Sequence, residues 1–217
     1  MIRPAIPRHT GLFLFICLVS FTGSAAAQWR SFNFSAGAGF SVPAETTSNS
    51  VDTGWNVDFR GGVNATRQLA LDLDFNYNRA DLNNAALLRA QEPGGHVSIW
   101  SLTFNPVYHI LPPRSRVNAY GTAGFGLYHR DLTFTQPVAF NTFFCDPFFG
   151  CFPGTFTTDQ VIASFDTYKA GFNAGAGVEC RIGDSHLKLF GEARYHRMFT
   201  TNGRDLTYIP TTFGLRW

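Results

Sequence analysis

The residues most able to support catalysis lie near the C-terminus, where His196 is followed by Thr200, Thr201 and Asp205. A histidine, a hydroxyl and a carboxylate can serve as base, nucleophile and orienting group in hydrolysis. Glu192, Arg194 and His196 recur at every second position, so on a strand all three share one face. His196 is therefore read as an inward-facing structural partner of Glu192 or Arg194 rather than as a base. Cys145 and Cys151 are close enough in sequence for a disulfide in an exported chain, which leaves Cys180 unpaired. No cluster has zinc-ligand spacing, and neither a phosphate-binding loop nor a dinucleotide fingerprint occurs. The expectation is no catalytic residue, no metal and no cofactor.

Alternation extends through most of the chain and identifies the elements that carry these residues. Leu69, Leu71, Leu73, Phe75 and Tyr77 point one way, and Ala70, Asp72, Asp74, Asn76 and Asn78 the other. Residues 168–182 repeat the pattern. Period two is the strand signal, and helical periodicity is almost absent. Eight such segments occur, roughly 31–42, 55–64, 69–79, 97–108, 117–130, 166–182, 187–197 and 207–217. Each has the length a tilted strand needs to cross a bilayer. Connections 65–68, 109–116 and 183–186 are short, 43–54, 80–96 and 131–165 are long, and 198–206 is intermediate. Short turns at one end and long loops at the other characterise an outer-membrane barrel.

The two faces differ in composition. One carries Phe32, Phe34, Phe40, Trp55, Phe59, Trp100, Phe104, Tyr108, Phe125, Tyr168, Tyr195, Phe213 and Trp217, many near strand ends where aromatic girdles sit. The other carries Asp58, Arg60, Asp72, Asp74, Lys169, Glu179, Arg181, Lys188, Glu192, Arg194 and Arg216, with glycines between them. Inside a narrow barrel, near-balanced charges can neutralise one another, and pairing is required because unpaired burial is costly. Asp72, Asp74, Arg181, Glu192, Arg194 and Arg216 are the expected interior network, with a structural role. A soluble lipocalin-type barrel would turn the faces the other way. The abundance of Gly and Asn on the polar face argues against that.

Export is expected from the N-terminus. Arg3, Arg8 and His9 precede an apolar run from Gly11 to Phe21, and Ala25-Ala-Ala27 fits a cleavage site. Residues 1–27 are thus read as a signal peptide and 28–217 as one barrel domain. Removing Arg3 and Arg8 brings Lys and Arg level with the 15 acidic residues, which leaves no basic surface for nucleic acid. Hydrophobic residues at 45% and charged residues at 15% also exclude a disordered chain.

The chain ends Phe213-Gly-Leu-Arg-Trp217, with Phe213, Leu215 and Trp217 alternating back from the terminus. This resembles the signal by which the barrel-assembly machinery recognises outer-membrane strands, an edge able to pair with another sheet. Together with Phe32-Asn-Phe-Ser-Ala-Gly-Ala-Gly-Phe40, Asn118-Ala-Tyr-Gly-Thr-Ala-Gly-Phe-Gly-Leu127, Glu192-Ala-Arg-Tyr-His196 and Tyr208-Ile-Pro-Thr-Thr-Phe-Gly-Leu-Arg-Trp217, it resembles the small outer-membrane β-barrel family of the OmpA/OmpX type. The resemblance implies an eight-stranded antiparallel up-and-down transmembrane β-barrel in contact with outer-membrane lipid and lipopolysaccharide, expected as a monomer. The peptidoglycan-binding domain of full OmpA-type proteins is not expected. Some small barrels are lipid A deacylases or palmitoyltransferases, but the deacylase pattern wants Ser two residues after the His, where this chain has Met198.

The expected role is structural or interactive, through a long loop at 131–167 rich in phenylalanine. Phe143, Phe144, Phe148, Phe149 and Phe152 are its candidate contact residues, stiffened by Cys145–Cys151. So much aromatic surface should meet a surface, a protein ligand, or the barrel rim and lipid head groups. A small-solute pore, a lipid-modifying enzyme and a soluble ligand carrier are the alternatives.

Overall fold

The computed structural model describes residues 32–111, 115–183, 185–200 and 205–217; the expected leader and Thr201 lie outside them. Eight strands follow in chain order: β1 (Phe32–Pro43), β2 (Gly54–Asn64), β3 (Leu69–Asp81), β4 (Gly94–His109), β5 (Val117–Asp146), β6 (Gly150–Arg181), β7 (Lys188–Met198) and β8 (Leu206–Arg216). Each pairs antiparallel with its neighbours in sequence, and β8 pairs back onto β1 to close the ring. Phe34 and Trp217 exchange both backbone hydrogen bonds at 2.9 Å at the end of that seam, and their rings stack 6.4 Å apart.

The faces take the orientation expected in lipid. Phe32, Phe59, Phe125, Tyr168, Phe213 and Trp217 are exposed on the outer wall, while Asp58, Arg60, Asp74, Asn105, Asn173 and Glu192 are buried in the lumen. This inverts a soluble protein and excludes the lipocalin arrangement. A closed ring leaves no unpaired strand edge within the hydrocarbon, where an unsatisfied backbone group is costly. The lumen accommodates these side chains because glycines yield space. A Cβ on Gly177 would lie 2.6 Å from the Tyr120 ring, and one on Gly171 2.8 Å from the Tyr128 ring.

One expectation is overturned. Residues 131–167 are not a loop: β5 and β6 run on as a two-stranded ribbon to a turn at Pro147–Phe149. The β4–β5 ladder ends at Gly94↔Thr135 and the β6–β7 ladder at Gly171↔Met198. From Gln136↔Gln160 to Asp146↔Gly150, the two strands pair only with each other. Eleven residues per strand at ~3.3 Å each carry the ribbon about 35 Å past that point. The segment reads as a loop because Pro and Gly interrupt its alternation. Its Phe, Thr and Val residues nevertheless favour strand, and the turn closes it. Asp146 Oδ1 accepts from the Phe148 and Phe149 amides at 2.7 and 3.0 Å, and Gly150 has φ +80°, the left-handed position such hairpin turns require.

Two of the connections at the ribbon's end of the barrel carry helical turns. A 3-10 turn at Glu45–Asn49 lies between β1 and β2, and α1 (Asn84–Ala90) lies between β3 and β4, capped by Asn83, whose Oδ1 accepts from the Ala86 amide at 2.9 Å. Arg89 ties the two together through the Asn49 carbonyl at 2.8 Å, and the Asn83 amide donates to the Ser50 carbonyl at 3.0 Å.

Candidate functional site

At mid-barrel the alternation of β2, β3 and β7 brings five ionisable side chains together. Arg60 from β2 forms a bidentate pair with Glu192 from β7 at 2.9 and 2.8 Å. Its Nε also lies 2.8 Å from Asp58 Oδ1 and 2.8 Å from Asp74 Oδ2. Arg194 Nη1 donates to Asp74 Oδ2 at 2.6 Å, and Arg194 also contacts Glu192 closely. Three carboxylates thus share two guanidinium forks. Bidentate pairing compensates best for taking charge out of water.

A second cluster lies toward the short-turn end. Glu179 meets Lys188 at 2.6 Å, Arg216 at 3.3 Å and His109 at 3.6 Å. Phe190 links the two clusters, with the Arg60 guanidinium 5.2 Å and the Arg216 guanidinium 5.6 Å from its ring centre. Of the six charges singled out from sequence, Asp74, Glu192 and Arg194 stand in the central cluster and Arg216 in the second. Asp72 is buried on the same inner face, with no basic side chain in ion-pair distance among the described residues. Arg181 is at the end of the β6–β7 ladder, opposite Lys188. Arg60 and Asp58 were visible on the polar face but not distinguished there, because only the closed register shows that Arg60 reaches three acids.

Above the central cluster the lumen becomes apolar. Val97, Ile99, Tyr128, Met198, Leu206 and Tyr208 pack into a buried layer. His196 belongs to this layer, with Nδ1 3.0 Å from the Tyr128 hydroxyl and its ring stacked 5.0 Å from Tyr208. It faces inward as expected, but its partner is Tyr128 rather than Glu192 or Arg194. Asp205 is engaged elsewhere, by Arg197 at 2.7 Å and the Thr200 amide at 2.9 Å. The hydrolytic set does not assemble among the described residues.

The ribbon is the other candidate site. A register shift between Phe134 and Thr135 skips Ile162, so that Phe140 faces Phe156 and Phe144 faces Phe152. Those four rings share one face, whereas an unshifted register would set Phe152 and Phe156 on the opposite face. Phe144 and Phe152 lie 6.4 Å apart, and Cys145 and Cys151, neighbours on the other face, are disulfide-bonded. At the tip Phe148 and Phe149 are 88% and 87% exposed, and Phe143 is 73% exposed. Phe213, Leu215 and Trp217 all point outward at the seam.

This architecture matches known proteins. The family described as outer membrane protein beta-barrel domain matches residues 13–217. No curated protein matches. Neisserial surface protein A is similar in structure at 15% identity, over 87% of this chain and 98% of that one, with a TM-score of 0.56. A major outer membrane protein from Thermus thermophilus is similar at 11% identity, over 86% and 99%, with a TM-score of 0.50. At these identities the likeness concerns the fold. The closed eight-stranded ring, its lipid-facing aromatic wall and the family match agree, and the chain belongs to the outer membrane protein β-barrel domain family.

Proposed function

We propose that the barrel is a non-catalytic anchor, exported by the leader at residues 1–27, that holds the β5–β6 ribbon out from the outer membrane as a contact organ for a neutral apolar surface. The observation that carries this reading is the ribbon itself. Between Leu132 and Thr158 the only charged residue is Asp146, while aromatic rings cover one face and the tip. Leaving so much aromatic area in water is unfavourable unless a partner covers it. A disulfide beside the tip lowers the entropy lost on contact. The ion-paired lumen and the apolar layer above it support an anchor rather than a pore, since eight strands enclose only enough space for side chains. Burial of His196 against Tyr128 supports a non-catalytic role.

The test replaces residues 136–160 by a two-residue turn and compares attachment of intact cells to methyl-terminated and hydroxyl-terminated surfaces. Selective loss on the methyl surface is the expected result. Unchanged attachment by the truncated barrel overturns the reading. So does a wild-type ribbon that resists external protease in intact cells while dissolution of the membrane exposes it, since it would then lie in lipid.

A further inference from the structure

The mouth of the barrel holds a second feature, independent of the ribbon. A cavity of about 470 Å³ opens there, with Leu82, Val97, Leu132 and Leu206 on its apolar sides, a polar rim from residues 46–50, and Arg89, Arg130 and Asp205 as its charged groups. Its floor is the apolar layer already described, to which Val97 and Leu206 belong. Its walls are aliphatic on several sides, and its cations outnumber its acids.

Arg130 distinguishes this cavity. It lies on the inward-facing set of β5 with Tyr128 and Leu132, beside Ile99 of β4 and Thr167 of β6. Arg60, Arg194 and Arg216 in the lumen each lie within 4 Å of a carboxylate. Arg130 has no ion pair among the described residues, and its Nε is shielded from solvent without a hydrogen-bond partner. Asp205, the acid on the cavity wall, is held by Arg197 and the Thr200 amide. Asp131, next in sequence, accepts from Thr133 and Ser164 instead. Arg89 adds a second positive group, fixed by the Ala85 and Asn49 carbonyls. A half-buried guanidinium with an unpartnered Nε beside aliphatic side chains gains most from an anionic oxygen group.

We infer that the mouth cavity binds a soluble amphiphilic organic anion, its acidic head on Arg130 and its apolar body against Leu82, Val97, Leu132 and Leu206. The volume falls within the range of small-molecule pockets. The head requires a guanidinium, and the tail requires the aliphatic walls, so neither part alone accounts for the site.

The experiment uses the full barrel in zwitterionic nanodiscs, with octanoate and inorganic phosphate titrated by calorimetry and empty discs subtracted. Saturable octanoate binding, weaker phosphate binding on the same site, and about a tenfold loss of octanoate affinity in Arg130→Met support the proposal. Arg130→Lys should recover part of that loss, and retained heat-dependent gel mobility shows that each variant is folded. Octanoate binding unchanged in Arg130→Met overturns the proposal, as does no binding above empty discs. Phosphate binding as tight as octanoate removes the apolar part of the site and also overturns it. Loss of octanoate binding when the discs contain anionic lipid assigns Arg130 to a lipid headgroup and overturns a soluble ligand.

Discussion

Arg60 and Glu192 are 132 residues apart in the chain and face each other across the lumen as a two-bond pair, 2.9 and 2.8 Å long. Arg60 also touches Asp58 and Asp74, so its loss leaves three buried carboxylates with one guanidinium. Breaking a buried pair from one side typically costs roughly 3–5 kcal/mol, because the remaining charge stays desolvated. Arg60→Met should lower stability by that order, read as the urea midpoint of the barrel in liposomes. Glu192→Gln in the same background should recover part of the loss. Additive losses in the double variant would contradict a shared network.

The packing of Gly177 against Tyr120 leads to a second prediction. A Cβ there would lie 2.6 Å from both the ring carbon Cζ and the hydroxyl oxygen. Gly177→Leu should block closure and abolish the heat-dependent gel shift. Gly177→Leu combined with Tyr120→Ala should restore part of it, since the space is returned from the other side of the β5–β6 ladder. A normal gel shift for the single variant would show that the lumen is looser than these contacts.

Reduction of Cys145–Cys151 should act only on the ribbon. Closing so short a loop constrains the open chain by about 2 kcal/mol, and that effect stays local to the turn. External protease should therefore cut within 147–149 faster after reduction, while the gel mobility of the barrel is unchanged. Equal cutting rates before and after reduction would show that the Asp146 hydrogen bonds hold the tip without the disulfide.

Asp205 provides a pH test outside the membrane-spanning strands. The Thr200 amide, and then the Arg197 side chain, hold its carboxyl below the ordinary aspartate range. A depressed folded-state value means that the stabilisation is present above the unfolded value and is lost as pH falls through the folded one. Protection of the Thr200 amide, taken relative to its intrinsic exchange rate at each pH, should therefore fall only below about pH 4, the ordinary aspartate range. Asp205→Asn should show faster exchange at neutral pH and no such transition.

Planar-bilayer recordings supply a separate check on the lumen. The layer of Tyr128, Tyr208, His196 and Met198, above two ion-paired clusters, leaves side chains across the bore. Refolded wild-type protein should give no discrete conductance steps. Regular steps of fixed amplitude would mean that the inner side chains move aside.

Much of the fold was legible in the order of residues alone. Period-two alternation sorts every strand into two faces, and the Gly, Asn and paired charges of one face against the aromatics of the other indicate which turns inward. The spacing of Cys145 and Cys151 made their pairing visible, because a link across a short hairpin is a local matter. Alternation, however, reports only which way a side chain points. It does not report how far each strand slides past the next as the ring closes, and that stagger decides that Arg60 meets Glu192, that Arg216 meets Glu179 and that His196 meets Tyr128. The β5–β6 ribbon was hidden for a related reason. Its Pro and Gly residues break the pattern that marks a strand, yet cross-strand pairing, a skipped Ile162 and the Asp146 turn hold it extended. Local chemistry in the sequence determined the faces. Register, a property of strands distant in the chain, was decided only by the closed barrel.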